Sequence, residues 1–160
     1  MTRTGTPAFT GLKRHQDRKW RFSFWYPHEW HRYNWPDGRE GVLYAPDPTD
    51  CSTSFSVELK ALNTKITPAD EKDLHIGFLK GLRSLPECEI ETEGSWVAGN
   101  LIGCEAKYTF HENGSVRKRW SRLLFEGSRQ FHFMAQGASP DEYKYWEPML
   151  FQAMETVHID

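Results

Sequence analysis

The same helix-start signal occurs twice in this chain, as TPAD at residues 67–70 and as SPDE at residues 139–142. In each, a hydroxyl residue (Thr67, Ser139) can cap and a proline (Pro68, Pro140) suits the first helical position. A carboxylate (Asp70, Glu142) then lies in reach of the cap's own backbone amide. An apolar stripe at near-helical spacing follows each start: Leu74, Phe78, Leu82 and Leu85 before Pro86, then Tyr143, Trp146, Leu150, Ala153 and Val157. Nearly everything else reads with period two. Two well-separated helices among hairpin-linked strands require an α+β arrangement, because a doubly wound parallel sheet needs a helix after almost every strand.

The strands can be read in order. In WRFSFWY, Trp20, Phe22, Phe24 and Tyr26 point one way while Arg21, Ser23 and Trp25 point the other, the mark of a half-buried strand. Pro27 ends it; HEW suits one helical turn, HRYNW a second short segment, and PDG (36–38) a turn. EGVLYAP is a strand and DPTD a turn. In SFSVELKAL, Phe55, Val57 and Leu59 alternate with Ser54, Ser56, Glu58 and Lys60. Beyond the first helix, CEIETEGSWVAG and NLIGCEAKYTFHENG form a hairpin across Gly99 and Asn100, with Cys104, Ala106, Tyr108 and Phe110 on one face. Asn113-Gly114 predicts a type I′ hairpin turn, which needs positive φ at both central positions. SVRKRWSRLLFEG returns, residues 126–128 turn, and RQFHFMAQG follows with Phe131 and Phe133 inward. The expected order is three or four strands, a helix, a four-strand antiparallel meander and a terminal helix, with about six to eight strands in the sheet. Residues 1–18 mix Thr, Gly, Pro and basic residues without a period and read as a flexible or loosely docked arm; residues 19–160 read as one domain.

Composition limits the function classes. Aromatic residues make up 14% of the 160, so the core is expected to be built from rings more than from Leu and Ile. A net charge of -2 gives no global attraction to nucleic acid or to an anionic membrane. No apolar run is long enough to span a bilayer, and the first residues lack a secretory h-region, so a cytoplasmic protein is expected, without membrane insertion. Three cysteines without CxxC spacing (Cys51, Cys88, Cys104) argue against a disulfide framework or a zinc site and read as buried free thiols.

The opening FSFWYPHEW and the closing GSRQFHFMAQGASPDEYKYWEPMLFQAMETV, a last strand leading through a capped turn into a helix, carry a resemblance. Together with the Asn113-Gly114 hairpin and the mid-chain helix, the layout resembles the PsbP-like fold, shared by the PsbP subunit of photosystem II, the Ran-binding Mog proteins and bacterial DcrB-type domains. The resemblance covers the chain from Trp20 onward. It implies an α+β sandwich whose members bind proteins or assemble into larger complexes more often than they catalyse. It transfers no binding residue.

Candidate chemistry is sparse. His28, Glu29 and His31 offer ligand groups, but not the i, i+4 histidine pair of a zincin helix, and His111, Glu112 or Asp50 would be arbitrary choices of third and fourth ligand. No GxSxG elbow, P-loop or GxGxxG motif occurs, and Cys104 sits on an apolar strand face where a thiolate is disfavoured. No catalytic residue, metal ligand or cofactor is assigned. Basic residues cluster at 13–21 and again at Arg117, Lys118, Arg119 and Arg122 around Trp120; they read as solvent-facing strand residues, and, as an alternative, as a weak nucleic-acid grip. Trp25, Trp30 and Trp35 remain: buried in a sandwich covered on both faces, or exposed as an apolar patch that marks a binding site. The favoured reading is a non-enzymatic protein-binding domain, an assembly factor, adaptor or chaperone, with a homodimer through the sheet face as one form. Its candidate contact residues are Trp25, Trp30, Trp35, Arg117, Arg119 and Arg122. A small-molecule pocket lined by the three tryptophans and a nucleic-acid surface on the three arginines are the alternatives.

Overall fold

The computed structural model describes residues 5–160. In chain order the elements are β1 (Leu12–Asp17), β2 (Phe22–Pro27), β3 (His31–Tyr33), β4 (Glu40–Ala45), β5 (Ser54–Ile66), α1 (Glu71–Arg83), β6 (Glu89–Ala98), β7 (Leu101–Glu112), β8 (Ser115–Gly137), α2 (Pro140–Glu155) and β9 (His158–Ile159). A 3-10 turn at Pro68–Asp70 leads into α1. All pairings are antiparallel, in a three-stranded sheet of order β1-β2-β9 and a six-stranded sheet of order β3-β4-β5-β8-β7-β6.

The helix starts use the chemistry read from the sequence. Ser139 accepts from the Glu142 backbone N–H at 3.1 Å, and the Asp70 carboxylate accepts from the Thr67 backbone N–H at 2.8 Å. Asn113 and Gly114 both have positive φ, 52° and 78°, between the paired residues Glu112 and Ser115, as a type I′ turn demands.

β8 occupies two adjacent places in its sheet. In a straight strand Arg119 and Gln136 would stand on the order of 55 Å apart, yet the Arg119 Nε donates to Gln136 Oε1 at 2.9 Å. Arg117 likewise reaches the Ala138 carbonyl at 2.8 Å. The run therefore folds back at Gly127 and Ser128, the turn read at 126–128; Gly127 takes φ 60° at the first central position, as in a type II′ turn. Residues 115–126 pair with β7, and residues 127–136 pair with β5.

Alternation then sorts side chains to two faces. One face carries Val57, Leu59, Trp120, Leu124, Phe131 and Phe133, and packs against Phe22 and Phe24 of β2 and Leu150, Ala153 and Met154 of α2. At its centre Phe24 lies within 5.1–6.2 Å, between ring centroids, of Phe55, Tyr44 and Phe133. The other face carries Cys104, Ala106, Tyr108 and Phe110, and α1 covers these with Phe78 and Leu82. α1 touches β6 and β7 but leaves the β4–β5 half of that face open.

Two readings change. Residues 12–17, assigned to an arm, form β1 and pair along β2 from Leu12↔Pro27 to Asp17↔Phe22. Its one fully inward residue is His15, stacked on Phe24 at 5.0 Å and bonded to the Tyr44 hydroxyl at 2.8 Å, so no apolar alternation announces the strand. Residues 1–4 of that arm lie outside the described residues. Of the thiols, Cys104 is buried and pushed up to about 11 by that burial, Cys88 is half-buried, and Cys51 is exposed.

Candidate functional site

On the open half of the outer sheet face, β5 and β8 set three pairs in register: Ser54 with Gln136, Ser56 with Met134, and Glu58 with His132. These side chains floor a groove of about 540 Å3. Leu43 extends the floor along β4; Trp35, Arg39, Arg117 and Arg119 stand around it, with Cys51 and Asn113 at the rim. Ser54, Ser56, Met134 and Leu43 are buried. The floor thus mixes two small hydroxyls and two apolar side chains with Glu58, His132 and Gln136. Two of the arginines beside it face carboxylates of the same groove, Arg39 at Glu58 and Arg117 at Glu112.

Trp35 is held flat against the sheet. Its indole N–H donates to the Val57 carbonyl at 2.9 Å, and the Arg39 guanidinium lies 4.3 Å above the ring. Arg39 is itself tied to Asp37 at 2.7 Å and Glu58 at 2.9 Å. Gly41 makes room for this: it has φ 135°, and a Cβ there would overlap the Val57 carbonyl oxygen and crowd the Trp35 indole nitrogen at 2.9 Å. Gly41→Ala is expected to cost about 2 kcal/mol and displace Trp35. A lower urea midpoint and a moved Trp35 indole N–H resonance would show it; an unchanged resonance would contradict it.

Arg119 bonds both Nε and Nη2 to the neutral amide oxygen of Gln136, at 2.9 and 2.5 Å, and lies 4.5 Å over Phe110. Arg117 lies 3.5 Å from the Glu112 carboxylate. His132 carries the least expected atom of the groove: its Nε2 is buried and has no hydrogen-bond partner among the described residues. Burial, helped by the Arg119 charge, lowers its pKa to about 4, so the ring is neutral at physiological pH. Among the described residues no nucleophile stands hydrogen-bonded to His132 as a base would require. Among the described residues no cluster of three or more His, Cys, Asp or Glu side chains is placed to hold a metal.

The six residues singled out from the sequence separate. Trp35, Arg117 and Arg119 meet in this groove. Trp30 is 7% exposed and packs edge-on against Trp146, and Trp25 stands exposed on the outer face of β2, opposite Arg14 of β1, its backbone N–H bonded to the Thr156 hydroxyl. Trp30 and Trp35 border different cavities and Trp25 borders neither, because β2, the turn after it and the segment before β4 send them in three directions. Arg122, three residues beyond Arg119, falls on the opposite strand face and binds Glu105 and Glu155. The three arginines therefore make no common surface. Sequence reading missed His132, Met134 and Gln136, which alternation marks only as outward-facing on the strand of Phe131 and Phe133.

Comparison with known proteins agrees with this architecture. No family model matches the chain, and no curated protein matches it. Solved structures do. The solution structure of cyanobacterial PsbP (CyanoP) from Synechocystis sp. PCC 6803 superposes with a TM-score of 0.70 at 15% identity, covering 99% of this chain and 98% of that one. The chain has the PsbP-like fold. LpqN, involved in cell envelope biogenesis of Mycobacterium tuberculosis, matches this PsbP-like domain with a TM-score of 0.64 at 16% identity, over 86% of this chain and 82% of that one. The Saccharomyces cerevisiae Ran-binding protein Mog1p matches with 0.54 at 11%, over 93% and 95%. At these identities the shared property is the fold. No described helix of the PsbP-like domain is long and apolar enough to cross a membrane.

Proposed function

We propose that this PsbP-like domain is a non-catalytic protein-binding domain, an assembly factor, adaptor or chaperone, that receives a segment of its partner in the groove over β4, β5 and β8. The observation that carries the reading is the half of the outer sheet face that α1 leaves uncovered, walled by Trp35, Arg117 and Arg119. An aromatic ring and two guanidinium groups around a partly apolar floor are the residue types that dominate interface energetics. Mog1p, named as a Ran-binding protein, supports a protein partner for this fold.

The test is paired affinity capture from native lysate. Trp35→Ala and Met134→Arg are expected to lose a partner that the native chain and Trp25→Ala both retain, with all variants folded by circular dichroism. Equal capture by groove and control variants would remove the groove from the interface. Two copies meeting through the same face would also cover it; sedimentation of the native chain reads that case as a dimer that Met134→Arg dissociates.

A further inference from the structure

A second cleft, of about 570 Å3, opens between the two sheets. Six consecutive residues, 13–18, line it from β1 and the residue after it. Successive side chains of a strand point to opposite faces, so consecutive lining means that the strand's edge faces the cleft. β1 is the terminal strand of its sheet. Its outward N–H and C=O groups have no strand partner among the described residues and are thus presented to the cleft as a template. Arg32 of β3, the terminal strand of the other sheet, stands across from it.

The charges of this cleft are one-sided. Lys13, Arg14, Arg18 and Arg32 line it against a single carboxylate, Asp17, which is occupied by the Trp20 backbone N–H at 2.8 Å. None of the four cations is ion-paired among the described residues. Elsewhere several arginines pair with carboxylates, Arg39 with Asp37 and Glu58, Arg122 with Glu105 and Glu155, and Arg129 with Glu126, while Arg119 bonds the neutral Gln136 amide. The floor is rigid and already satisfied, with Tyr26 stacked on Tyr44 at 3.8 Å and Tyr44 bonded to His15.

We infer that this cleft is a strand-addition site for an acidic, extended segment of a partner protein, which pairs with the free edge of β1 while its carboxylates meet Lys13, Arg14, Arg18 and Arg32. Edge pairing supplies affinity through main-chain hydrogen bonds, and the cations select the partner. A second copy of the chain is the wrong occupant, because β1 against β1 would set basic side chains against basic ones. A nucleic acid finds little to stack on, since Tyr26, Tyr44 and Trp30 are buried and the exposed ring lining the cleft is the small imidazole of His28. The site is independent of the groove proposed above.

The probe is a fluorescein-labelled peptide of roughly ten alternating Glu and Thr residues, followed by anisotropy with the full chain at low salt. The peptide is expected to bind, to weaken as salt rises, and to protect the amides of residues 13–17 from hydrogen exchange. Arg18→Glu combined with Arg32→Glu, both exposed positions, is expected to weaken it about tenfold or more, whereas Trp35→Ala leaves it unchanged. The same peptide N-methylated at every amide is expected to lose binding. The proposal is overturned by undiminished binding of the N-methylated peptide, by equal binding to the charge-reversed variant, by tighter binding of a short single-stranded oligonucleotide, or by no peptide binding up to about 1 mM.

Discussion

Lowering the pH from 7.5 to 4.5 is expected to cost this protein about 5 kcal/mol of stability, about 2.5 kcal/mol from each of two histidines. His132 and His15 both have pKa values lowered to about 4 in the folded chain, against an ordinary value of 6.5. Burial is the first cause in both. Arg119 adds to it at His132, and Arg32 at His15, where Asp17 opposes. A depressed histidine pKa means that the folded state holds the neutral ring, so the unfolded chain binds more protons as the pH falls below 6.5. The stabilisation is complete above pH 6.5 and drains away towards pH 4. Asp37, Asp47 and Asp50 also have lowered pKa values, but their ordinary value of 3.8 keeps their loss below this window. Glu40, with an ordinary value of 4.5, begins to contribute only at its lower end, so most of the change from 6.5 to 4.5 belongs to the histidines. The loss is comparable to the whole stability of many domains. Urea unfolding at a series of pH values measures it, and His132→Leu should remove about half the slope. A flat midpoint between pH 7 and 4.5 would show that neither ring is held neutral.

The second large effect is in the ring cluster. Phe24→Ala is expected to lower the unfolding free energy by about 4 kcal/mol, through lost burial and the cavity left behind. Phe24 is 0% exposed and touches rings from β1, β2, β4, β5 and β8, so it ties the small sheet to the large one. No single neighbour can collapse into its place. Trp25→Ala, one residue along the same strand, removes a larger side chain, yet is expected to cost under about 1 kcal/mol, because Trp25 is 41% exposed. Chemical denaturation of the two variants separates these values; similar losses would mean that the alternation of β2 is not what holds the sheets together.

The sequence-level reading worked wherever one element's own residues decide its form. The Ser139 cap, the Asp70 carboxylate on the Thr67 backbone N–H, the I′ turn at Asn113 and Gly114, and the inward set Phe22, Phe24 and Tyr26 are local chemistry and form as read. Trp20 joins that core from the turn before β2, and the Thr67 hydroxyl turns to the Asp70 carboxylate. β1 escaped notice because its buried residue is a histidine whose value as a core side chain depends on Phe24 and Tyr44, distant in sequence. Of the candidate contact residues, the separation of Arg122 from Arg119 was present in strand parity alone. The joining of Trp35 to Arg117 and Arg119 was not, since it needs β5 to lie between the segment before β4 and the returning arm of β8.

By itself the sequence determined an α+β chain with a ring-built core, two capped helices and the hairpins between its later strands, because capping, turn φ preferences and period-two burial act within a few residues. Only the tertiary structure decided which half of the sheet stays open, which of the six marked side chains share a groove, and that the unpaired edge of β1 faces a cationic cleft. Those outcomes depend on where α1 lands and on how the two sheets meet, and no short stretch of chain encodes either one.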